Sequence, residues 1–161
     1  MSKPDRGRLV RESVVHMTEI VLPEDSNAHG SVFGGRVLAL VDKCAAAVAI
    51  RHARSAVLTA ALDSVSFLSQ VRVGDLLTLE GRLNAVFGSS MEVEVAVRSE
   101  DPLTGERRLT TTALVTLVVV DGAGRPRPAP RLRVRSGAER RRAREALARR
   151  AARLGARPGP S

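Results

Sequence analysis

Cysteine occurs once in this 161-residue chain, at Cys44; tryptophan and tyrosine do not occur at all, and phenylalanine occurs three times. A lone cysteine rules out an internal disulfide and any metal site built on several thiolates. Without aromatic platforms the chain lacks the stacking surface on which single-stranded nucleic acids are bound. His16, His29 and His52 stand apart, with no second ligand cluster beside them, so no metal site is expected. No apolar run is long enough to cross a membrane. The polar opening Met1–Arg8 leads into no apolar signal core, and a cytoplasmic protein is expected.

The net charge of +9 would suggest a polyanionic partner if it were spread evenly. It is not. Residues 1–124 carry 13 Lys or Arg against 15 Asp or Glu, whereas residues 125–161 carry 13 Arg against two Glu. The body is nearly neutral and the basicity belongs to a tail. A hydrophobic content of 43% in a chain of this length is enough for one domain with one core.

Periodicity gives the elements. Val14–Leu22 is β-branched and closed by Pro23, an opening strand. A glycine-punctuated loop follows from Glu24 to Gly34, and then Arg36–His52, rich in Ala, Leu and Val, reads as a helix buried on most faces. Val57–Phe67 is a second strand. Asp75–Phe87 alternates, with Leu77, Leu79, Leu83, Ala85 and Phe87 assigned to one face, and Met91–Arg98 repeats the pattern across the turn Gly88-Ser89-Ser90, so these two form a hairpin. Asp101–Gly105 is a turn into a last strand, Arg107–Val120. One helix covered by an antiparallel sheet is an α+β layer arrangement, and the helix's remaining apolar face implies burial against a second copy. Pro126, Pro128 and Pro130 mark an extended linker. Gly137–Gly155 has a thin apolar stripe at helical spacing, Ala143, Leu147, Ala151 and Leu154, too poor in large side chains to hold a helix firmly; partial or conditional order is expected. The resulting division is a flexible amino terminus (residues 1–12), a folded domain (13–132) and an Arg-rich tail (133–161), partly helical or disordered.

Asp42, a carboxylate in the middle of the apolar helix, is the first candidate for chemistry. The residues alone leave open a structural acid paired with Lys43 or Arg36. Asn27 alone reads equally as an Asx-turn or helix-cap residue, and the glycines as loop punctuation.

The segment Leu22-Pro-Glu-Asp-Ser-Asn27-Ala-His-Gly30-Ser-Val-Phe33-Gly34-Gly35 through Asp42 resembles the active-site segment of hotdog-fold acyl-CoA thioesterases, the YciA-like and brain-acyl-CoA-hydrolase-like group. Val57–Phe67, Val71–Asp75 and the Gly88-Ser89-Ser90 hairpin are similar to the family's following segments, in order and spacing, over roughly residues 13–132. One departure is Phe33, where many members have His, outside the catalytic pair. The resemblance implies a hotdog fold, a sheet wrapped around a central helix. It implies a homodimer often assembled into hexamers as trimers of dimers, and hydrolysis of acyl-CoA to CoA and a carboxylic acid. No cofactor is implied beyond the CoA of substrate and product. By position Asn27 and Asp42 would be the catalytic pair, Thr59 and Asp63 supporting residues, and Gly88, Ser89 and Ser90 would lie near CoA.

Thioester hydrolysis needs an activated water and a stabilised oxyanion. Asp42 suits the first need as general base, or as a nucleophile, and Asn27 suits orientation of the water or carbonyl. Gly34 and Gly35 open the helix, where unpaired backbone N–H groups and the positive end of the dipole make an oxyanion hole. Gly35 and Asp42 lie about 10 Å apart along one helix at 1.5 Å per residue. One thioester carbon is not easily reached from both, so a site shared between two antiparallel helices of a dimer is expected. A hydratase of the same broad fold lacks a convincing Asp-and-His pair here. A different class is a non-catalytic acyl-CoA-binding regulator whose Arg-rich tail meets nucleic acid; it is disfavoured because no helix-turn-helix pattern occurs and Asn27 with Asp42 would have no purpose in a pure sensor, so nucleic acid is not an expected partner.

Overall fold

The computed structural model describes residues 6–156. In chain order the elements are β1 (Arg8–Leu9), β2 (Val15–Ile20), α1 (Gly34–Ala53), β3 (Val57–Phe67), β4 (Leu76–Phe87), β5 (Ser90–Glu100), β6 (Arg107–Val119), β7 (Leu132–Arg133) and α2 (Gly137–Gly155). Strands β2, β4, β5, β6 and β3, in that order, make one five-stranded antiparallel sheet with β2 and β3 at its edges. This is the hotdog architecture: the sheet curls round α1, an α+β arrangement.

The inner face of the sheet meets α1 through alternate residues, because successive side chains of a strand point to opposite faces. Leu77, Leu79 and Leu83 of β4, Val93, Val95 and Val97 of β5, and Ala113, Val115 and Leu117 of β6 close on Val37, Leu40, Val41, Cys44, Ala45 and Val48 of α1. Each fully buried Val or Leu contributes roughly 1.5–3 kcal/mol. Helix and sheet approach closely at Gly81: a Cβ there would lie 2.7 Å from Val48 Cγ2 and 2.9 Å from Cys44 Sγ. The helix stops at Arg54, which adopts the left-handed conformation (φ 52°) and donates its N–H to the Ile50 carbonyl at 2.7 Å.

Bulges modify the alternation that the sequence suggests. In β4, Leu83 faces Val93 but Ala85 faces Glu92, so Asn84 is an extra residue and the pattern reverses beyond it. Ala85 and Phe87 therefore lie on the outer face, not with Leu77, Leu79 and Leu83.

The described residues on either side of the expected domain are more ordered than expected. The amino-terminal segment is not loose through residue 12: Arg8 and Leu9 pair in parallel with Leu132 and Arg133, and a 3₁₀ turn follows at Val10–Glu12. Residues before 6 lie outside the described residues. The proline-rich stretch runs along the body: Arg127 and Ala129, the residues between prolines, donate their N–H groups to the carbonyls of Val119 and Gly88 at 2.9 and 2.8 Å. Buried His52, near the end of α1, donates Nε2–H to the Pro130 carbonyl at 2.8 Å.

Residues after 156 lie outside the described residues, and within the Arg-rich tail Gly137–Gly155 form a continuous helix, with Ser136 and Glu139 making a reciprocal capping box. It docks on the outer face of the sheet. Its apolar contribution is as thin as the sequence implies, with Ala146 its one fully buried residue. The helix is anchored instead by arginine. Arg149 makes a two-pronged pair with Glu92 at 2.6 and 3.2 Å, Arg142 reaches Glu94 at 3.6 Å, and Arg153 reaches Asp63 at 2.5 Å and Thr116 at 3.2 Å. The Glu92 hydrogen bond raises the Arg149 pKa further above its ordinary value. Glu92 also accepts from Asn84 Nδ2 at 3.0 Å. Among the described residues no helix is long and apolar enough to cross a membrane.

Candidate active site

The loop before α1 is braced from within. Phe33 N–H donates to the Asp25 carbonyl at 2.9 Å, while the Asp25 carboxylate pairs with Arg36 Nε at 3.0 Å. Arg36 is thereby committed to Asp25 and not to Asp42. The chain reverses at Gly30, whose φ of +75° is the left-handed region that favours glycine. Asn27 Oδ1 accepts from the backbone N–H of His29 at 2.8 Å and of Ser31 at 3.3 Å, and Nδ2 donates to Ser31 Oγ at 3.0 Å. Asn27 is thus the organiser of its own turn, as its residue type allows, and one Nδ2 hydrogen is left without a partner among the described residues.

Gly34 and Gly35 form the first turn of α1, with Phe33 before them offering no side-chain cap. Their N–H groups meet no acceptor among the described residues. A Cβ on Gly34 would touch the Phe67 ring at 3.4 Å, whereas Gly35 faces open space. A cleft of about 210 Å³ adjoins them, walled by Ser31, Val32, Gly34, Val37, Phe67 and Val71. It is a small, largely apolar recess beside free backbone donors.

Asp42 lies two turns further along α1, half-buried, and faces the edge strand β3. Thr59 Oγ1 donates to Asp42 Oδ1 at 2.7 Å, and no other hydrogen bond or ion pair engages the carboxylate among the described residues. Lys43, its neighbour in sequence, is exposed and makes no pair with it. The carboxylate is held by one oxygen and leaves the other open.

The remaining candidates lie elsewhere in the same chain. Thr59 opposes Leu117 on the inner face, but the bulge that follows makes Ala61 oppose Thr116 and Asp63 oppose Leu114. Asp63 is therefore on the outer face with Arg153, away from Thr59 and Asp42. Gly88, Ser89 and Ser90 turn the β4–β5 hairpin beside the end of β6, where Ser90 opposes Val118 and β3 begins with Val57 opposing Val119. Gly34 lies at the other end of β3, against Phe67. Ten residue steps of strand separate those ends, roughly 30 Å. One chain thus joins Asp42 to Thr59, joins Asn27 to the helix entrance, and keeps Gly88–Ser90 away from that entrance, at the end of the sheet where Thr59 lies.

Cys44 offers no alternative nucleophile. It is fully buried, and desolvation together with the charge of Glu80 pushes its thiol up to about 11. Among the described residues no cluster of three or more His, Cys, Asp or Glu is gathered to hold a metal ion. Sequence reasoning missed Ser31, whose hydroxyl and backbone fix Asn27, and the Asp25–Arg36 brace; the short separations of both pairs are their sole signal in the sequence.

The profile of the thioesterase superfamily matches residues 29–106. The chain is 42% identical over 125 residues to an acyl-CoA thioester hydrolase of Bacillus subtilis, covering 78% of this chain and 73% of that protein. It is 33% identical over 133 residues to the mouse cytosolic acyl coenzyme A thioester hydrolase, 81% of this chain but 34% of that longer protein. A hexameric acyl-CoA thioesterase crystal structure superposes with a TM-score of 0.88 at 45% identity, covering 92% of this chain and 95% of that one. An acyl-CoA hydrolase of Staphylococcus aureus, solved with butyryl coenzyme A and coenzyme A, superposes with a TM-score of 0.83 at 33% identity, over 91% of this chain and 92% of that one. That hydrolase has also been solved with an asparagine, an aspartate or a threonine replaced by alanine, three residues with the same separations along the chain as Asn27, Asp42 and Thr59.

Proposed function

The chain belongs to the acyl-CoA thioester hydrolases of the thioesterase superfamily, and from that premise we propose that it hydrolyses acyl-CoA to CoA and a carboxylic acid, with Asp42 as general base. The observation that carries the assignment is the Thr59–Asp42 hydrogen bond of 2.7 Å. It fixes Oδ1 and makes that oxygen a poorer nucleophile, leaving the second oxygen to hold a water. That water's oxygen attacks the thioester carbon while its proton passes to Asp42. The carbonyl oxygen, becoming an oxyanion, is received by the N–H groups of Gly34 and Gly35 at the positive end of α1. Collapse breaks the C–S bond, and the departing CoA thiolate takes the proton from Asp42. Asn27, through its free Nδ2 hydrogen, orients the water or the carbonyl.

Gly35 and Asp42 of one helix stand about 10 Å apart along the axis. The active unit is therefore a dimer in which Asn27, Gly34 and Gly35 of one copy face Asp42 and Thr59 of the other, and in which the Gly88–Ser90 turn approaches CoA. Edge strand β3 supports this reading, since it is unpaired on one side and carries Leu58, Leu62 and Phe67 at 57%, 39% and 55% exposure. Assembly of three such dimers into a hexamer is the expected larger form. The regulator alternative finds less support, because Arg142, Arg149 and Arg153 of the tail are engaged with Glu94, Glu92 and Asp63.

Thiol release from short-, medium- and long-chain acyl-CoAs tests the activity, with Asp42→Ala and Asn27→Ala compared at matched oligomeric state. Loss of turnover in folded Asp42→Ala is expected; turnover by that variant at the wild-type rate overturns the role. Coexpression of the two inactive chains tests the sharing. Hybrid dimers should recover activity, because one of their two sites is intact.

A further inference from the structure

A larger recess lies across the sheet from the Asp42–Thr59 pair, with Gly88 of the hairpin turn in its lining. It is a groove of about 570 Å³ on the outer face of the sheet, between the end of β4, the extended segment before β7, and α2. Val86, Phe87, Ala129, Leu132, Val134 and Leu147 give it hydrocarbon walls. Its size is that of a small-molecule site. The bulge at Asn84 creates it, by turning Phe87 outward.

Leu147 lines this groove and is 57% exposed, a large apolar side chain of α2 with little to cover it. Charge beside the groove is equally specific. Arg142, Arg149 and Arg153, which reach the sheet, each have a carboxylate partner. Arg150 instead stacks over the Phe87 ring, 5.1 Å from its centroid, and pairs with no carboxylate among the described residues. Arg131 lines the same recess. A hydrocarbon slot with guanidinium groups beside it is complementary to an amphiphile that ends in a carboxylate.

We infer that this groove binds a fatty-acid anion, its chain along Phe87, Leu132 and Leu147 and its carboxylate on Arg150, as a site distinct from the Asp42–Thr59 pair. The inference rests on the hydrolase reading only for where such an acid would come from, since hydrolysis of a fatty acyl-CoA releases one.

The test is a titration of the full chain with a dansyl-labelled undecanoate, in saturating CoA so that the catalytic site is occupied. Saturable enhancement is expected, competed by palmitate. Leu147→Glu, at an exposed position that folding tolerates, should weaken binding by about tenfold or more by putting a charge among apolar walls. Arg150→Gln should weaken it by a smaller factor that vanishes at high salt. Both variants should hydrolyse a short-chain acyl-CoA at the wild-type rate. No saturable signal under CoA, or unchanged affinity in Leu147→Glu, overturns the proposal. So does a Leu147→Glu protein whose assembly falls apart in light scattering, which would make the groove a contact between copies. Failure of the hydrolase reading would appear separately, as absent thiol release by the wild type.

Discussion

Thr59 on β3 donates its hydroxyl to Asp42 on α1 across 2.7 Å, tying the edge strand of the sheet to the middle of the central helix. A hydrogen bond to a charged group contributes about 1.5–3 kcal/mol. If it serves orientation of the base, Thr59→Val should lower kcat by roughly 10- to 100-fold with little change in KM, and Thr59→Ser should restore most of the loss. Steady-state kinetics at matched oligomeric state decide the matter, and equal kcat in Thr59→Val would remove Thr59 from the mechanism.

Arg149 and Glu92 hold α2 to the sheet, and the Glu92 side chain is 3% exposed. Arg149→Ala leaves that carboxylate buried with Asn84 as its remaining partner, and should cost about 3–5 kcal/mol of stability. Removing both charges, as Arg149→Met with Glu92→Leu, should cost much less. Urea denaturation of the two variants measures the difference; similar losses in both would mean that the pair itself, not the stranded charge, carries the stability.

Much of this protein was legible in its sequence. The strict alternation in β4 and β5 gave the hairpin, and the apolar run gave α1 with Asp42 at its centre. What stayed hidden was hidden for physical reasons. A bulge adds one residue without changing composition, so neither the reversal of Phe87 at Asn84 nor the turning of Asp63 away from Thr59 left a mark. Asp63 four residues after Thr59 reads as the same face of an ideal strand, and the extra residue moves it to α2. The docking of α2 was illegible because its anchors, Glu92, Glu94 and Asp63, are scattered along the chain and each looks like an ordinary solvated charge.

Gly81 sits where the sheet comes close to α1. A methyl group there would press on Val48 Cγ2 at 2.7 Å and on Cys44 Sγ at 2.9 Å. Gly81→Ala should destabilise by about 1–3 kcal/mol, as overpacked cores do. Combining it with Val48→Ala should cost less than the two single changes added together. Thermal unfolding of the three variants checks this, and simple additivity would show that the contact yields without strain.

Cys44 provides a pH signature. Its thiol titrates near 9.0 when free and about 11 in the folded chain, so the folded state favours the protonated form. The associated stability is fully present below pH 9 and is lost as the pH rises toward 11, by about 2–3 kcal/mol at one pKa unit per 1.36 kcal/mol. The chain has no tyrosine and two lysines to mask the effect. Denaturation midpoints between pH 8 and 11 should fall for the wild type and stay flatter for Cys44→Ala; parallel curves would exclude the thiol as the cause.

The pairing of Arg8 with Leu132 and of Leu9 with Arg133 bears on how the molecule comes into being. Strand β1 finds its partner only when residue 132 has followed it from the ribosome. Edge strand β3 likewise waits for β6, with Val57 opposing Val119. The sheet is therefore completed late, and α1 emerges before β4, β5 and β6, the strands that supply most of its cover. Long-range closure of this kind slows folding and lengthens the interval in which nascent chains can stick to one another.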